Sequence, residues 1–267
     1  MEISVVLISY NDERHLLRCL PTLTFSDDVI VVDVGSSDGS KAIAKSFGAR
    51  VLEHEKVDFA EKAHSFAASF ARFDWILFAD PDMEFPSWVG ERLPPMIERY
   101  ADENLGMVLL PMLTCTENTI LWHGRKGGVR GRKAVIHRNR AELPGLLHHR
   151  GFEPKEDFIT LGLVSPNREG IRHYSVGGNK GLMAKTKRYL PFEAESRYAV
   201  GQRFSWNALF RELYQKTAED LIKKVYCDRI ALRMMMFQFI NVTQGYLALR
   251  RLERKISSEN NMSLDKK

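Results

Sequence analysis

The chain predicts an α/β fold: a mostly parallel sheet flanked by helices, with a helical carboxyl-terminal extension. Three observations carry this reading. From residue 3 to residue 112, short β-rich runs alternate with amphipathic stretches, the pattern of a parallel sheet wound with helices. Those runs are continuously apolar, as strands covered on both faces must be. From residue 179 onward the pattern is helical.

The elements follow in order. Residues 4–8 read as a strand, 13–20 as a helix stopped by Pro21, 29–32 as a strand, and 41–47 as a helix ended by Gly48. Residues 51–52 form a brief strand. Phe59, Ala63, Phe66, Ala67 and Phe70 recur at helical spacing over residues 58–71, with Asp58 as the cap, and residues 75–79 form the next strand. A helix runs from Pro86 to about Tyr100, and residues 106–112 are a further strand. Between Trp122 and Arg140 the chain carries Arg125, Lys126, Arg130, Arg132, Lys133, Arg138 and Arg140 with no acid, broken by glycines, and reads as a mobile basic loop. The late helical region is interrupted at Pro191 and continues in one long segment, residues 219–255. The polar residues from Ser257 onward read as a frayed tail.

With 267 residues, 44% of them hydrophobic, the chain can bury a large core, which argues against a chain disordered as a whole. The net charge of +5 suits an anionic partner without choosing which. Cys19, Cys115 and Cys227 are odd in number and widely spaced, which favours reduced thiols in a cytoplasmic protein over a disulfide framework. The start, Met1-Glu2-Ile3-Ser4, lacks the basic region of a signal peptide, and the apolar stretch of residues 230–240 is too short to span a bilayer.

Asp80 and Asp82 are the most informative residues, because they emerge at the end of the apolar run Trp75-Ile76-Leu77-Phe78-Ala79. Ligands of open α/β sheets bind beyond the carboxyl ends of the strands, and an acidic pair there can hold a hard cation against a phosphate. Asp80-Pro81-Asp82 is equally an ordinary turn. Two other strand ends converge on the same edge: Ser9-Tyr10-Asn11-Asp12-Glu13, and Asp33-Val34-Gly35-Ser36-Ser37-Asp38-Gly39-Ser40. Asp33 can accept from base or ribose, Gly35 lets the backbone approach closely, and the following helix start offers free N–H groups. Taken singly, these segments are also turns and helix caps. No glycine-rich dinucleotide fingerprint follows the first strand and no P-loop is present, so NAD and ATPase readings fall away.

The order strand, Ser-Tyr-Asn-x-Glu, strand, Val-Val-Asp-x-Gly-Ser-x-Asp-Gly-Ser, strand, Asp-x-Asp resembles the family 2 glycosyltransferases of the GT-A fold. The similarity is nearest to the bacterial subgroup that includes lipopolysaccharide-core and other surface-glycan glucosyltransferases, and it is strong over residues 3–90. The resemblance implies a metal-dependent, inverting enzyme, a hexosyltransferase, that moves a sugar from a nucleotide-diphospho-sugar to a lipopolysaccharide or other glycan or glycolipid acceptor. It implies that Ser9, Tyr10, Glu13 and Asp33 contact the donor, and that Asp80 and Asp82 hold Mg or Mn, with Asp82 the direct ligand. Asn11, Gly35 and Ser36 from the same loops, His64 at the position of the family's donor-facing residue, and Asp80 complete the candidate donor contacts. Residues 1–215 would form the transferase domain, with a nucleotide-binding half of about 1–115 and an acceptor half of about 116–215. Residues 216–256 would be a helical extension and 257–267 a disordered tail. The expected location is the cytoplasm, at the cytoplasmic face of the inner membrane.

Two departures stand out. Where the subgroup has His followed by Glu, this chain reads Leu147-His148-His149-Arg150, with Glu153 close behind, so His149 and Glu153 are rival general bases. His64-Ser65 replaces the basic residue and Asn that face the donor. The basic segment is a candidate lid over the diphosphate, and its few aromatics argue against nucleic acid. The final helix, with Met234, Met235, Phe237 and Ile240 beside Arg229, Arg233, Arg250 and Arg251, is a candidate contact with an anionic membrane. A nucleotidyltransferase and a non-catalytic sugar-nucleotide-binding module of the same fold are the competing readings.

Overall fold

The computed structural model describes residues 2–123, 129, 131–143, 151–174 and 179–264. These residues fall into two compact units, one carrying the strands and the first four helices, the other carrying the last three helices.

In the first unit the elements are β1 (Ile3–Ser9), α1 (Glu13–Cys19), β2 (Asp28–Asp33), α2 (Ser40–Ser46), β3 (Arg50–Glu53), α3 (Glu61–Phe70), β4 (Trp75–Ala79), β5 (Met83–Glu84), α4 (Trp88–Tyr100), β6 (Leu105–Thr114), β7 (Gly131–His137), β8 (Ala141–Glu142), β9 (Glu153–Pro154), β10 (Ile159–Gly162) and β11 (Ile171–His173). The main sheet runs in the order β3-β2-β1-β4-β7-β6-β11-β5, with β10 also paired to β6. β3, β2, β1 and β4 are mutually parallel, while β7 enters antiparallel to both β4 and β6. β1 and β4 are buried along nearly their whole length, which is why both read as unbroken apolar runs. One face packs Val5, Leu7, Leu77 and Val135 against Leu16, Leu93 and Ile97; the other packs Val6, Ile30, Ile76 and Phe78 against Ala67 and Ala68.

A buried carboxylate pins the far edge. Asp28 accepts from Ser4 Oγ at 2.7 Å, Arg50 Nη1 at 2.6 Å and the Arg72 N–H at 2.9 Å. Burial raises its pKa, but these donors outweigh that and hold the carboxyl below its ordinary value.

The second unit holds α5 (Asn179–Ala199), α6 (Trp206–Ile222) and α7 (Arg229–Leu264). Leu209 and Leu213 of α6 pack on Val242 and Tyr246 of α7. Arg197 of α5 pairs with Glu193 and Glu212 and lies over the Tyr246 ring. Ser205 caps α6 by accepting from the Ala208 N–H at 3.5 Å.

Several local expectations are corrected. Residues 131–137 are not loop but strand β7, because Ala134, Val135 and Ile136 supply an apolar insert between β4 and β6 that the flanking cations concealed. Asp58 does not cap α3, which starts three residues later; it pairs instead with Lys62 at 2.6 Å. Pro191 does not interrupt α5, which packs along α7 through contacts such as Thr186 Oγ1 to Asn241 Oδ1 at 2.8 Å. The final helical region is two helices, parted where Lys224 turns left-handed (φ 54°) and Asp228 accepts from the N–H groups of Ile230 and Ala231. Beyond Ser257 the helix continues to Leu264, since no glycine or proline follows Gly245 to stop it.

Candidate functional site

Register places the loops after β1, β2 and β4 on one edge: Ser9 is level with Asp33, and Leu7 with Ala79. Asp33 is buried, and its Oδ1 accepts from the N–H groups of Gly35 at 3.1 Å and Ser36 at 3.0 Å. Its other oxygen, Oδ2, is buried without a partner, and so is Ser9 Oγ on the neighbouring strand. A buried polar atom left unpaired costs roughly 1–3 kcal/mol, so these two at adjacent strand ends are open to a bond from water or from a polar ligand.

The loops themselves interlock. Asn11, in left-handed backbone (φ 55°), donates its N–H to Ser36 Oγ at 2.9 Å and accepts from the Ser37 N–H at 2.8 Å. Glu13 Oε2 accepts from the Gly39 N–H at 2.9 Å while its own N–H donates to Asp38. Gly35 takes φ 93°, which disfavours any side chain, and a Cβ at Gly39 would lie 2.9 Å from Glu13 Oε2. The side chains of Asn11, Glu13 and Ser36 thus fix loop shape. Tyr10 lies under Lys56, whose Nζ donates to its hydroxyl at 2.9 Å.

Asp80 and Asp82 bracket a tight turn closed by the Met83 N–H on the Asp80 carbonyl at 3.1 Å. The chain then forms β5, which pairs antiparallel with β11, bringing His173 opposite Met83. His173 Nε2 lies 3.1 Å from Asp82 Oδ1 and 4.0 Å from Asp80 Oδ2. One donor atom from each of Asp80, Asp82 and His173 falls within 4.8 Å of the others. Two carboxylates and an imidazole in that compass fit a divalent cation such as Mn, and Mg less readily because of the nitrogen. Lys133 Nζ donates to Asp80 Oδ2 at 2.8 Å, delivered by β7, whose Val135 pairs with Leu77 two residues before Ala79.

The surroundings are electronegative. Burial, with the carboxylates of Asp80 and Asp82 adding, pushes the Cys19 thiol far above its ordinary pKa. Burial also raises the Asp12 carboxyl, against the Tyr10 N–H and His15, with Asp82 and Asp38 contributing to the rise.

His64, expected to face the donor, sits among aromatic rings: its centroid is 4.5 Å from that of Phe78 and 5.6 Å from that of Phe152. Burial, helped by the Lys133 cation, pushes its pKa down to about 4, so the ring is neutral near pH 7. Glu153 is exposed on the β8–β9 ribbon opposite Glu142. His149 lies outside the described residues, as do Arg125, Lys126 and Arg130 of the basic segment. Sequence reasoning missed Lys133 and His173 as site residues. The apolar run Ala134-Val135-Ile136 was the available signal for the first; the pair His173-Tyr174 resembles the later part of the surface-glycan subgroup, but that likeness gave it no ligand role.

Residues 4–154 match the model of glycosyl transferase family 2. Among curated proteins, a TPR repeat-containing protein of Synechococcus elongatus is 36% identical over 84 residues, 31% of this chain and 21% of that one. An uncharacterized glycosyltransferase of Rickettsia typhi is likewise 36% identical over 84 residues, covering 31% of this chain and 28% of the relative. The match therefore spans less than a third of the length of either relative. Among solved structures, residues 1–349 of S. aureus TarS superpose with a TM-score of 0.50 at 13% identity, covering 96% of this chain and 92% of that one, a likeness of fold. With the family model spanning more than half the chain on the same strands that build the acidic edge, this protein belongs to the family 2 glycosyltransferases and has the GT-A fold.

Proposed function

We propose that the chain is a metal-dependent, inverting transferase that moves a hexose from a nucleotide-diphospho-sugar to a hydroxyl of a lipopolysaccharide or other surface-glycan acceptor, at the cytoplasmic face of the inner membrane. The observation that carries the reading is the convergence of Asp80, Asp82 and His173 on the sheet edge where Ser9 Oγ and Asp33 Oδ2 are left unpaired.

Each residue then has a role. Asp33 Oδ2 accepts from the base or ribose and Ser9 Oγ bonds beside it, while Tyr10 lines the same loop. Asp80, Asp82 and His173 would hold Mn or Mg, which neutralises charge on the departing diphosphate. Lys133 places a second cation at that charge. The acceptor oxygen attacks the anomeric carbon as its proton passes to a base; the bond from that carbon to the phosphate oxygen breaks, and the nucleoside diphosphate leaves. His149 and Glu153 remain the two candidate bases.

A thermal-shift series over UDP-, GDP-, CDP- and dTDP-sugars, with and without Mn, tests the donor class. Binding to the folded state raises apparent stability with ligand concentration, so one nucleotide should raise Tm, and more so with Mn. A flat response to all four, with and without metal, sinks the reading.

A further inference from the structure

We propose that α6 lays its outer face on the headgroup region of an anionic lipid bilayer. Trp206, Phe210, Tyr214 and Leu221 follow one another at helical spacing and lie on one face, within less than a quarter-turn of each other. They are 48%, 62%, 75% and 51% exposed, although α6 has already buried Leu209 and Leu213 against α7. The outer stripe is therefore not spare core. Isolated apolar side chains on a surface need no explanation, but a continuous aromatic row does.

The chemistry of the row selects its partner. Trp, Tyr and Phe are the side chains that settle where an apolar body and a polar tip are both satisfied, at a membrane–water boundary. Arg250 lies over the rings of Phe204 and Trp206, with centroid distances of 5.0 and 5.6 Å, and Arg203, Arg211 and Lys224 are exposed around the helix. From residue 176 to the end the chain carries 18 Lys and Arg against 9 Asp and Glu, so this part holds +9 of a chain whose total is +5. A second copy would bring like charge to like, whereas an anionic lipid surface complements it. No helix among the described residues is long and apolar enough to cross a membrane, so α6 lies on the surface. α7 adds exposed Leu232, Met236 and Phe239 at the same spacing within the same unit. The inference rests on the second unit alone and is independent of the donor site.

Vesicle co-sedimentation of the full chain tests it. The protein should pellet with phosphatidylcholine vesicles carrying about one-third phosphatidylglycerol, stay in solution with phosphatidylcholine alone, and be released by salt. Combined Trp206→Ser, Phe210→Ser and Tyr214→Ser should weaken partitioning at least about tenfold while the fold is retained by circular dichroism, because the Leu209–Leu213 contacts with Val242 and Tyr246 are untouched. Brominated lipid should also quench the native protein's fluorescence, and Trp206→Phe should remove the quenched part without disturbing the fold. Equal partitioning of the native and triple-variant proteins, or no quenching, overturns the proposal. So does a native dimer by light scattering that the triple substitution dissociates while vesicles bind neither, since the stripe would then belong to a second copy.

Discussion

Lys133 Nζ and Asp80 Oδ2 stand 2.8 Å apart, joining β7 to the end of β4 across a sequence separation of 53 residues. The pair puts a fixed cation on one carboxylate of the proposed metal site, so the ammonium and a divalent ion compete for the same oxygen. Lys133→Met should therefore tighten Mn binding several-fold while raising the donor KM about tenfold, the second effect following from one lost charge-assisted bond to the diphosphate. Manganese titration by electron paramagnetic resonance reads the first and steady-state kinetics the second. A variant in which both constants stay put removes Lys133 from the site.

Asp82 faces His173 at 3.1 Å. Asp82→Ala should lower metal-stimulated transfer by about a thousandfold or more, with Tm little changed because the residue is on the sheet edge. Turnover that still needs metal and proceeds at the native rate would exclude Asp82 as a ligand.

The rival bases separate kinetically. At saturating donor, the true base is the one whose replacement by Ala collapses kcat and leaves donor affinity intact. The comparison is His149→Ala against Glu153→Ala, and failure of both to lower kcat points elsewhere.

His64 makes stability pH-dependent. Its folded pKa, about 4, lies below the ordinary 6.5, so between those values the unfolded chain binds a proton that the folded one refuses. Stability on this account is full above pH 6.5 and declines as pH falls towards 4, by up to about 3 kcal/mol. Urea unfolding across that window should show the slope, and His64→Phe, which keeps a ring between Phe78 and Phe152, should flatten it. An unchanged slope would assign the decline to other groups.

Asp28 is the pin of the far sheet edge, with Ser4, Arg50 and the Arg72 N–H all spent on it. Asp28→Ala should cost about 2–3 kcal/mol, since the Ser4 hydroxyl and the Arg72 N–H lose a buried acceptor, while Arg50, about a third exposed, regains water. Denaturant unfolding measures it; a loss below about 1 kcal/mol would mean that solvent reaches those donors after all.

Most of the first unit was legible in the chain because β1, β2 and β4 are covered on both faces, so burial writes itself as unbroken apolar runs. The acidic pair and Asp33 were legible for the same reason: they follow those runs directly. β7 was not, because Arg132, Lys133 and Arg138 bracket its three apolar residues and their charge dominates any window that contains them. His173 was hidden by length, since a three-residue strand has no period to detect, and its role depends on β5 crossing to meet it. Pro191 misled because local propensity was read where packing against α7 decides. Lys224 parts α6 from α7 in left-handed backbone that nothing about lysine announces, although Asp228 carried a readable cap.

The Tyr174 N–H bonds the Asp82 carbonyl at 2.9 Å, and that stitch sets an order of events. On a ribosome the acidic turn is made long before the histidine that completes it, and loop closure between them spans about ninety residues. No fragment ending before β11 can possess the three-donor cluster, however well its early strands have paired. Metal capture by the proposed three-donor site would accordingly report that the sheet has closed as far as β11.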